Sequence, residues 1–287
     1  MLYTMKEVLA IAKGNNFAVG AFNIADNVLF KVVIEEAERL NAPVIIQLAP
    51  PEVDFVGKEF FKYVVERLKN SKVPCVLHLD HGKTIGDCLK AIQYGFTSVM
   101  LDGSELPFET NIALCKQVSE IARQVGVSVE GEIGTIGITG NSVEGGVDKI
   151  HYTQPEEVVE FVSKSGVDTL AIAIGTAHGI YPEGMVPKLR LDILEKITEV
   201  TDIPLVLHGG SSNSDEEIKN ACKLGVNKVN IASDYRLAFF QQTTKTLNET
   251  KAFWSPKVYG TAILEAKKVI AHKMELFGCI DKANLFR

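Results

Sequence analysis

Short apolar runs and amphipathic stretches alternate along the whole chain. Eight runs rich in Val, Ile, Leu and Ala have the length of single strands. They span residues 17–22, 43–48, 74–79, 97–101, 127–131, 168–174, 204–208 and 227–231. Near-continuous apolar runs are typical of strands that are buried on both faces, so the pattern predicts a parallel sheet of eight strands.

Helical patterns separate these runs. Within residues 27–40, apolar side chains recur at helical spacing and the charged ones mostly fall outside that stripe. Further helices are predicted before the first run, at 5–13, and after the last one, at 262–277. Four glycines stand just before the next run and predict helix ends: Gly95, Gly126, Gly166 and Gly225.

Eight strands separated by helices are the count for a (β/α)8 barrel. A doubly wound sheet can hold the same strands, and the pattern alone leaves it open. The chain has 287 residues without a linker or a shift in composition, and one barrel takes about 250 residues. We therefore predict one α/β domain over residues 1–287, a (β/α)8 TIM barrel with an extra N-terminal helix and a C-terminal helical extension.

The composition restricts the kinds of partner that the protein is expected to bind. Thirty Lys and Arg residues against 36 Asp and Glu residues give a net charge of −6, which argues against nucleic-acid binding. No apolar run approaches the roughly 18 residues of a membrane span, and the start lacks the pattern of a secretory signal. The five cysteines are scattered, which is typical of reduced thiols. We expect a cytoplasmic protein without nucleic-acid or membrane partners.

Histidines at the predicted strand ends are the clearest chemical signal. Catalytic residues of barrels lie where strands end. Three imidazoles from three strands form the ligand set of a catalytic zinc site, which predicts that His81, His178 and His208 bind a metal. His78 lies on the same strand as Asp80 and on the same face, and it is either a further site residue or a support for the ligands.

Carboxylates and glycine-rich segments accompany these histidines. Asp80 can move a proton on or off a substrate hydroxyl, or else orient a histidine. Asp102 and Glu132 stand at neighbouring strand ends and predict either support for the ligands or a second metal. The segments 209–211 and 232–233 follow strands seven and eight, where barrels often bind phosphate through backbone N–H groups and hydroxyls.

Five motifs, taken in order, give the chain a family resemblance. They are VLHLDHG (76–82), E-x-E-I-G (130–134), IGTAHG (174–179), LVLHGGSS (205–212) and KVNIAS (228–233). Their order and spacing resemble those of the class II, metal-dependent ketose-bisphosphate aldolases across nearly the whole chain. The resemblance implies a zinc-dependent lyase, typically a homodimer or homotetramer, that acts on a sugar phosphate.

The resemblance also implies a reaction. Fructose 1,6-bisphosphate is the first substrate expected, with tagatose 1,6-bisphosphate or another ketose phosphate as alternatives. Asp80 takes the proton of the C4 hydroxyl, and zinc on His81, His178 and His208 stabilises the enediolate. The products are dihydroxyacetone phosphate and, from the bisphosphates, glyceraldehyde 3-phosphate.

Other positions match the family's binding residues. The positions matched to substrate binding are Asn23, Gly179, Gly209, Gly210, Ser211, Asn230, Ala232 and Ser233. Gly179 and Gly209 also border a monovalent cation, Na⁺ or K⁺, in the family. Asp102 and Glu132 match positions that hold a second, buried divalent metal in some members.

The chain departs from the family pattern at three places. The proton-returning carboxylate is expected in the loop after strand five, where Glu144 is the first choice and Asp148 the rival. Residues 48–52, LAPPE, replace small Gly and Ser residues that often contact the distal phosphate. Lys257 stands where relatives often have an arginine that reaches a neighbouring subunit's substrate.

Three other functions are compatible with parts of this pattern. A Schiff-base aldolase would use Lys228, which is otherwise expected to be a charge on the barrel exterior or at a strand end. A non-catalytic sugar-phosphate-binding barrel would require a damaged site. A metal-dependent hydrolase could use the same three histidines and Asp80, but the paired phosphate segments argue against it.

Overall fold

The computed structural model describes residues 1–138, 150–179, 188–211 and 213–286. Its strands are β1 (Val19–Asn23), β2 (Val44–Leu48), β3 (Cys75–Gly82), β4 (Ser98–Leu101), β5 (Ser128–Ile133), β6 (Gly137–Ile138), β7 (Thr169–Ile172), β8 (Ala177–His178), β9 (Leu205–Leu207) and β10 (Val226–Ile231). Its helices are α1 (Met5–Gly14), α2 (Asn27–Arg39), α3 (Pro50–Val56), α4 (Lys58–Lys69), α5 (Ile85–Gln93), α6 (Phe108–Gln124), α7 (Pro155–Ser165), α8 (Leu191–Val200), α9 (Asp215–Leu224), α10 (Ser233–Thr250) and α11 (Ser255–Leu276), and a 3₁₀ turn spans Lys282–Phe286.

Eight parallel strands close into a barrel in the order β1-β10-β9-β7-β5-β4-β3-β2. The closure of β1 on β10 confirms the (β/α)8 barrel and excludes the doubly wound sheet. Outside the barrel, β6 and β8 pair with each other in a second, two-stranded sheet. Each has only two residues, which is too short to leave a pattern in the sequence.

The helices begin and end largely where the sequence predicted. All four predicted glycines adopt positive φ at helix ends. The N-terminal α1 packs against the barrel, where Met5 N–H donates to Ser128 Oγ at 3.0 Å. The last helix starts at Ser255 rather than at 262, because Pro256 fits the first turn of a helix, where no N–H is needed. None of the helices in the described ranges is long and apolar enough to cross a membrane.

The two faces of the barrel strands differ in chemistry. On β5, Gly131 faces outward, where an added Cβ would lie 2.8 Å from the ring of Phe161 on α7. Its neighbours Glu130 and Glu132 lie on the opposite, inward face and are buried. The apolar core therefore lies between strands and helices, and polar side chains occupy the barrel interior toward the carboxyl ends of the strands.

Candidate active site

Three buried histidines meet at the carboxyl ends of the strands. His81 is the next-to-last residue of β3, His178 lies on β8, and His208 directly follows β9. His208 Nδ1 is 3.0 Å from His81 Nε2, and the centroid of the His178 ring is 5.0 Å from that of His81. One ligand atom of each histidine lies within 4.8 Å of the others. The three predicted metal ligands are thus brought together from distant parts of the chain.

A β-bulge in β3 orients the side chain of His81. Leu79 pairs with Val99 but Gly82 pairs with Leu101, so β3 carries an extra residue at this point. His81 has φ +49°, which a non-glycine residue adopts at a cost of roughly 1 kcal/mol or more. A Cβ on Gly82 would lie 2.6 Å from the carbonyl oxygen of Met100, so glycine is required there. The bulge turns the imidazole into the barrel mouth.

Carboxylates orient two of the three rings. His81 Nδ1 lies 2.9 Å from Asp102 Oδ2, and His208 Nε2 lies 2.8 Å from Glu130 Oε1. With both rings neutral, as a metal ion would require, a ring N–H that donates to each carboxylate would leave the lone pairs of His81 Nε2 and His208 Nδ1 available to one metal ion. A carboxylate behind the ligand imidazole is the usual outer partner in metal sites.

The donor set fits a zinc ion. Nitrogen ligands of tetrahedral zinc lie about 3.3 Å apart, since each Zn–N distance is about 2.0 Å. The 3.0 Å separation of the His81 and His208 nitrogens is close to that value. Three neutral nitrogen donors, two of them backed by carboxylates, leave one coordination position for a substrate. The geometry therefore allows His81, His178 and His208 to hold a catalytic metal.

Charge in this part of the barrel favours a cation. Burial lowers the pKa of His81, but Asp80, Asp102 and Glu132 outweigh it and raise that pKa to about 10. Burial and the nearby Asp102 raise the pKa of Glu132 to about 8. The pKa of His208 falls well below its usual value because of burial and the neighbouring His81. Carboxylates that hold a proton on His81 would equally attract a divalent metal in its place.

Amide side chains surround Asp80. Asn23 Nδ2 donates to Asp80 Oδ2 at 2.8 Å, and Gln47 Nε2 donates to the same oxygen at 3.1 Å. Asn230 Nδ2 donates to Asp80 Oδ1 at 3.1 Å. Burial raises the pKa of Asp80, but His81, His208 and Lys228 outweigh it and lower that pKa to about 2. Asp80 is thus held as a carboxylate, with its Oδ1 4.0 Å from His81 Nε2.

A buried ionic layer lies behind the histidines. Lys228 Nζ donates to Glu130 Oε2 at 2.8 Å, and both side chains are fully buried. The expectation that Lys228 is an exterior or strand-end charge is wrong, because its position on β10 points into the barrel. His78 bonds Ser98 Oγ at 2.8 Å and lies 3.7 Å from Glu130, so it belongs to this layer and not to the group of three.

Asp102 and Glu132 form a second group with His81. One ligand atom of each lies within 4.8 Å of the others, as a second metal would need. Lys83 Nζ already donates to Asp102 Oδ2 at 2.6 Å, and Ser104 donates to its other oxygen. The ammonium of Lys83 therefore already neutralises part of the negative charge that would attract a second metal to this group.

The predicted phosphate-binding segments also meet. Gly209 has φ +64°, and a Cβ there would lie 2.7 Å from the carbonyl oxygen of Ala177. Ser211 is buried and accepts from the backbone N–H of Asp234, in the first turn of α10, at 3.5 Å. Gly210 N–H donates to the carbonyl of Asn230. Ala232 and Ser233 begin α10, so a long helix N-terminus and the glycine loop face one region.

Some expected site residues lie elsewhere or outside the described ranges. Glu144 and Asp148 both fall outside the described residues. Gly179 follows His178 with φ +101°. Lys257 is exposed in the first turn of α11.

Sequence reasoning missed two site residues. Gln47 and Glu130 contact Asp80 and His208 directly, yet neither was assigned a role. Each interrupts an apolar strand with a polar residue, and that interruption is the signal that could have identified them. Gln47 is the one polar residue of VIIQL, and Glu130 shares the face of Glu132.

Comparisons with known proteins identify the family to which the chain belongs. Residues 3–282 match the family model described as class-II fructose-bisphosphate aldolase. The fructose-bisphosphate aldolase of Staphylococcus aureus strain Mu50 is 38% identical over 99% of both chains. The 6-phospho-5-dehydro-2-deoxy-D-gluconate aldolase of Bacillus licheniformis is 39% identical over 98% of this chain and 96% of its own.

Solved structures give the same result. The YdjI aldolase from Escherichia coli K12 superposes with a TM-score of 0.86 at 30% identity, over 99% of this chain and 100% of its own. The fructose-bisphosphate aldolase from Campylobacter jejuni superposes with a TM-score of 0.82 at 26% identity, over 98% and 97%. The resemblance found in the motifs is confirmed, and the chain belongs to the class-II fructose-bisphosphate aldolase family, whose members are lyases.

Proposed function

We propose that this enzyme cleaves a ketose phosphate reversibly to dihydroxyacetone phosphate and an aldehyde, in a zinc-dependent aldol reaction. The observation that carries the proposal is the convergence of His81, His178 and His208 beside the amide-held Asp80. Fructose 1,6-bisphosphate is the first substrate to test, and tagatose 1,6-bisphosphate and other ketose phosphates are alternatives.

In this proposal the three imidazoles hold zinc, and each carboxylate behind a ring fixes its orientation. Zinc bound there would act as a Lewis acid toward oxygens of the three-carbon half. The loop 209–211, Gly179 and the start of α10 bind the phosphate of that half through N–H groups and the hydroxyls of Ser211 and Ser233. The one-metal site is the minimum, because Lys83 already pairs with Asp102 in the second group.

Asp80 is the base in the cleavage direction. It takes the proton of the C4 hydroxyl, the C3–C4 bond breaks, and the electron pair stays on the three-carbon half. The amides of Asn23, Gln47 and Asn230 fix the carboxylate and cannot themselves take the proton. Glu144 or Asp148 would return a proton to the three-carbon carbanion.

Lys228 supports the metal mechanism over the Schiff-base alternative. An amine nucleophile has to be neutral and reach the substrate carbonyl. The Lys228 ammonium is fully buried and paired with Glu130, one layer behind His208. Borohydride with dihydroxyacetone phosphate should therefore trap no adduct.

A coupled assay tests the proposed function. Cleavage of fructose and tagatose bisphosphates is followed through dihydroxyacetone phosphate, before and after EDTA treatment and with zinc added back. We expect EDTA to abolish cleavage and zinc to restore it. Unchanged activity in EDTA, with no bound metal found by elemental analysis, would contradict the proposal.

We also propose a homo-oligomer that forms through the turn between α10 and α11. Phe253 is fully exposed there, and Trp254 beside it is 66% exposed. Large apolar side chains exposed together commonly mark a protein contact. Sedimentation velocity should give a dimer or tetramer, and a Phe253→Ser/Trp254→Ser protein should shift toward the monomer.

A further inference from the structure

The segment that follows β2 lies next to Asp80 and has unusual chemistry. Ala49 precedes α3, whose first turn is Pro50, Pro51 and Glu52. Glu52 is buried and accepts from the N–H of Ala49 at 2.9 Å. The chain's own carboxylate thus occupies the start of this helix, where an anion would otherwise find N–H donors.

No donor remains on this segment for a phosphate. Both prolines lack an N–H, and the Ala49 N–H is used by Glu52. The N–H groups of Glu52 and Val53 donate to the carbonyl of Ala49. Residues 48–53 carry no hydroxyl either.

Arg236, the cation that contacts Glu52 of this segment, is already paired. Arg236, on α10, forms an ion pair with Glu52, and its Nη2 also donates to the carbonyl of Asn23 at 2.7 Å. Tyr235 Oη donates to the same carbonyl. A phosphate that took Arg236 would leave the Glu52 carboxylate buried and unpaired, which is unfavourable.

The position of this pair in the barrel relates it to one part of the substrate. In the proposed function, the ketose phosphate group lies at the loops after β9 and β10, and its C4 hydroxyl lies at Asp80 on β3. The strands between them are β1 and β2. Asn23 links this pair to Asp80, because its side chain donates to Asp80 and its carbonyl accepts from Arg236. On that adjacency we place the carbons beyond C4 against the ends of β1 and β2, beside Glu52 and Arg236.

We propose that the aldehyde half of the substrate carries no phosphate, and that its far end is an uncharged, hydroxyl-bearing chain recognised beside the Glu52–Arg236 pair. This inference rests on the proposed function and specifies its substrate class as a ketose 1-phosphate. A hydroxyl can donate to a carboxylate oxygen and accept from a guanidinium N–H, so it suits a neutral ion pair. A phosphate would instead meet a carboxylate and no unused donor among residues 48–53.

The name of one relative is chemically consistent with this class. A 6-phospho-5-dehydro-2-deoxygluconate has its single phosphate beside the ketone, so cleavage leaves no phosphate on the other half. The gluconate end is a carboxylate, however, whereas Arg236 of this chain is already neutralised by Glu52.

The test compares matched substrates in one zinc-loaded preparation. Cleavage of fructose 1-phosphate is compared with that of fructose 1,6-bisphosphate. Cleavage of tagatose 1-phosphate is compared in the same way with that of tagatose 1,6-bisphosphate. We expect kcat/KM for at least one monophosphate to exceed that of its bisphosphate by about ten-fold or more. A preference of the same size for both bisphosphates overturns the inference, and so does faster cleavage of 6-phospho-5-dehydro-2-deoxygluconate than of both monophosphates.

A separate readout distinguishes failure of the inference from failure of the proposed function. Exchange of the C3 proton of dihydroxyacetone phosphate in D2O, followed by NMR, requires only the three-carbon half. Exchange together with a bisphosphate preference overturns the inference alone. No exchange and no cleavage of any ketose phosphate overturns the proposed function.

Two variants test whether Glu52 determines the preference for a monophosphate over a bisphosphate. Glu52→Gln removes the charge that opposes a phosphate, and we expect the ratio of bisphosphate to monophosphate kcat/KM to rise by about three- to ten-fold. Asp54→Asn is the control, because it removes an equal charge from the same helix at a side chain that is 66% exposed and pairs with Lys90. A ratio that changes equally in both variants, or in neither, contradicts the role of Glu52.

Discussion

The two sides of the active site hold their carboxylates in different ways. On the imidazole side, around His81 and His208, Asp102 and Glu130 accept from imidazoles and from Lys83 and Lys228. On the amide side, Asp80 of β3 accepts only from neutral amides of β1, β2 and β10 among its described hydrogen bonds.

This difference suits two kinds of chemistry. A metal ligand needs a fixed, basic imidazole, and a permanently charged partner supplies both properties. A general base has to gain and lose a proton, and neutral amide donors tolerate either state with a smaller change in energy than a fixed ammonium would. The ion-paired side is thus built for binding and the amide side for proton transfer.

Removing an imidazole should have the largest effect. His178→Ala leaves two nitrogen ligands, and we expect the bound zinc to be lost and cleavage to fall by roughly 10⁴-fold, about 5 kcal/mol of transition-state stabilisation. Metal analysis and the coupled assay measure both. His272→Ala is the control, since His272 is half-exposed and pairs with Asp215 on the surface. A His178→Ala protein with full zinc content would show that the ligand set is wrong.

Changing Asp80 should separate chemistry from metal binding. Asp80→Asn keeps the shape but removes the base, so kcat should fall by roughly 10³-fold. Zinc content should stay near that of the unaltered enzyme, because Asp80 lies outside the group of three ligands. Loss of zinc together with activity would contradict the prediction, because it would show that Asp80 also contributes to metal binding.

The ionic layer should control stability. Lys228→Met leaves the Glu130 carboxylate buried without its ammonium partner, and we expect the free energy of unfolding to fall by about 3 kcal/mol. The double variant Lys228→Met/Glu130→Gln should recover part of that loss, since neither charge then remains. Urea unfolding of the unaltered protein, Lys228→Met, Glu130→Gln and the double variant measures the coupling. Additive losses would mean that the buried pair does not act as a unit.

A single amide should have the smallest effect. Gln47→Leu removes one of three donors to Asp80, and a hydrogen bond to a charged group contributes about 1.5–3 kcal/mol. We expect kcat to fall by about ten-fold or somewhat more, with zinc affinity unchanged. Steady-state kinetics and a competitive zinc titration measure the two quantities. A weaker zinc affinity in this variant would contradict the prediction, because it would show that the amides around Asp80 also affect metal binding.

Much of this architecture was predictable because it depends on local pattern. The eight apolar runs matched the eight barrel strands, since residues buried on both faces leave a mark in every sequence window. The three histidines were found because each stands at or shortly after the end of such a run, although His178 lies beyond its run on the separate strand β8. Helix α11 was predicted too short, because its first turn is set by Pro256 and not by an apolar stripe.

The sequence by itself determined the eight strands, the three imidazoles, Asp80 and the glycine loops, since all of these are visible as periodicity and as motifs near strand ends. The closure of those strands into a barrel, which the pattern left open, was decided by the pairing of β1 with β10. Only the tertiary structure decided which partner each charge has. Lys228 lies 98 positions from Glu130 and Arg236 lies 184 from Glu52, and these pairs form because barrel closure brings β10 and the start of α10 next to β1 and β2 and across the interior from β5. A buried charge is costly without its partner, so the fold selects the pairing that the linear chain does not show.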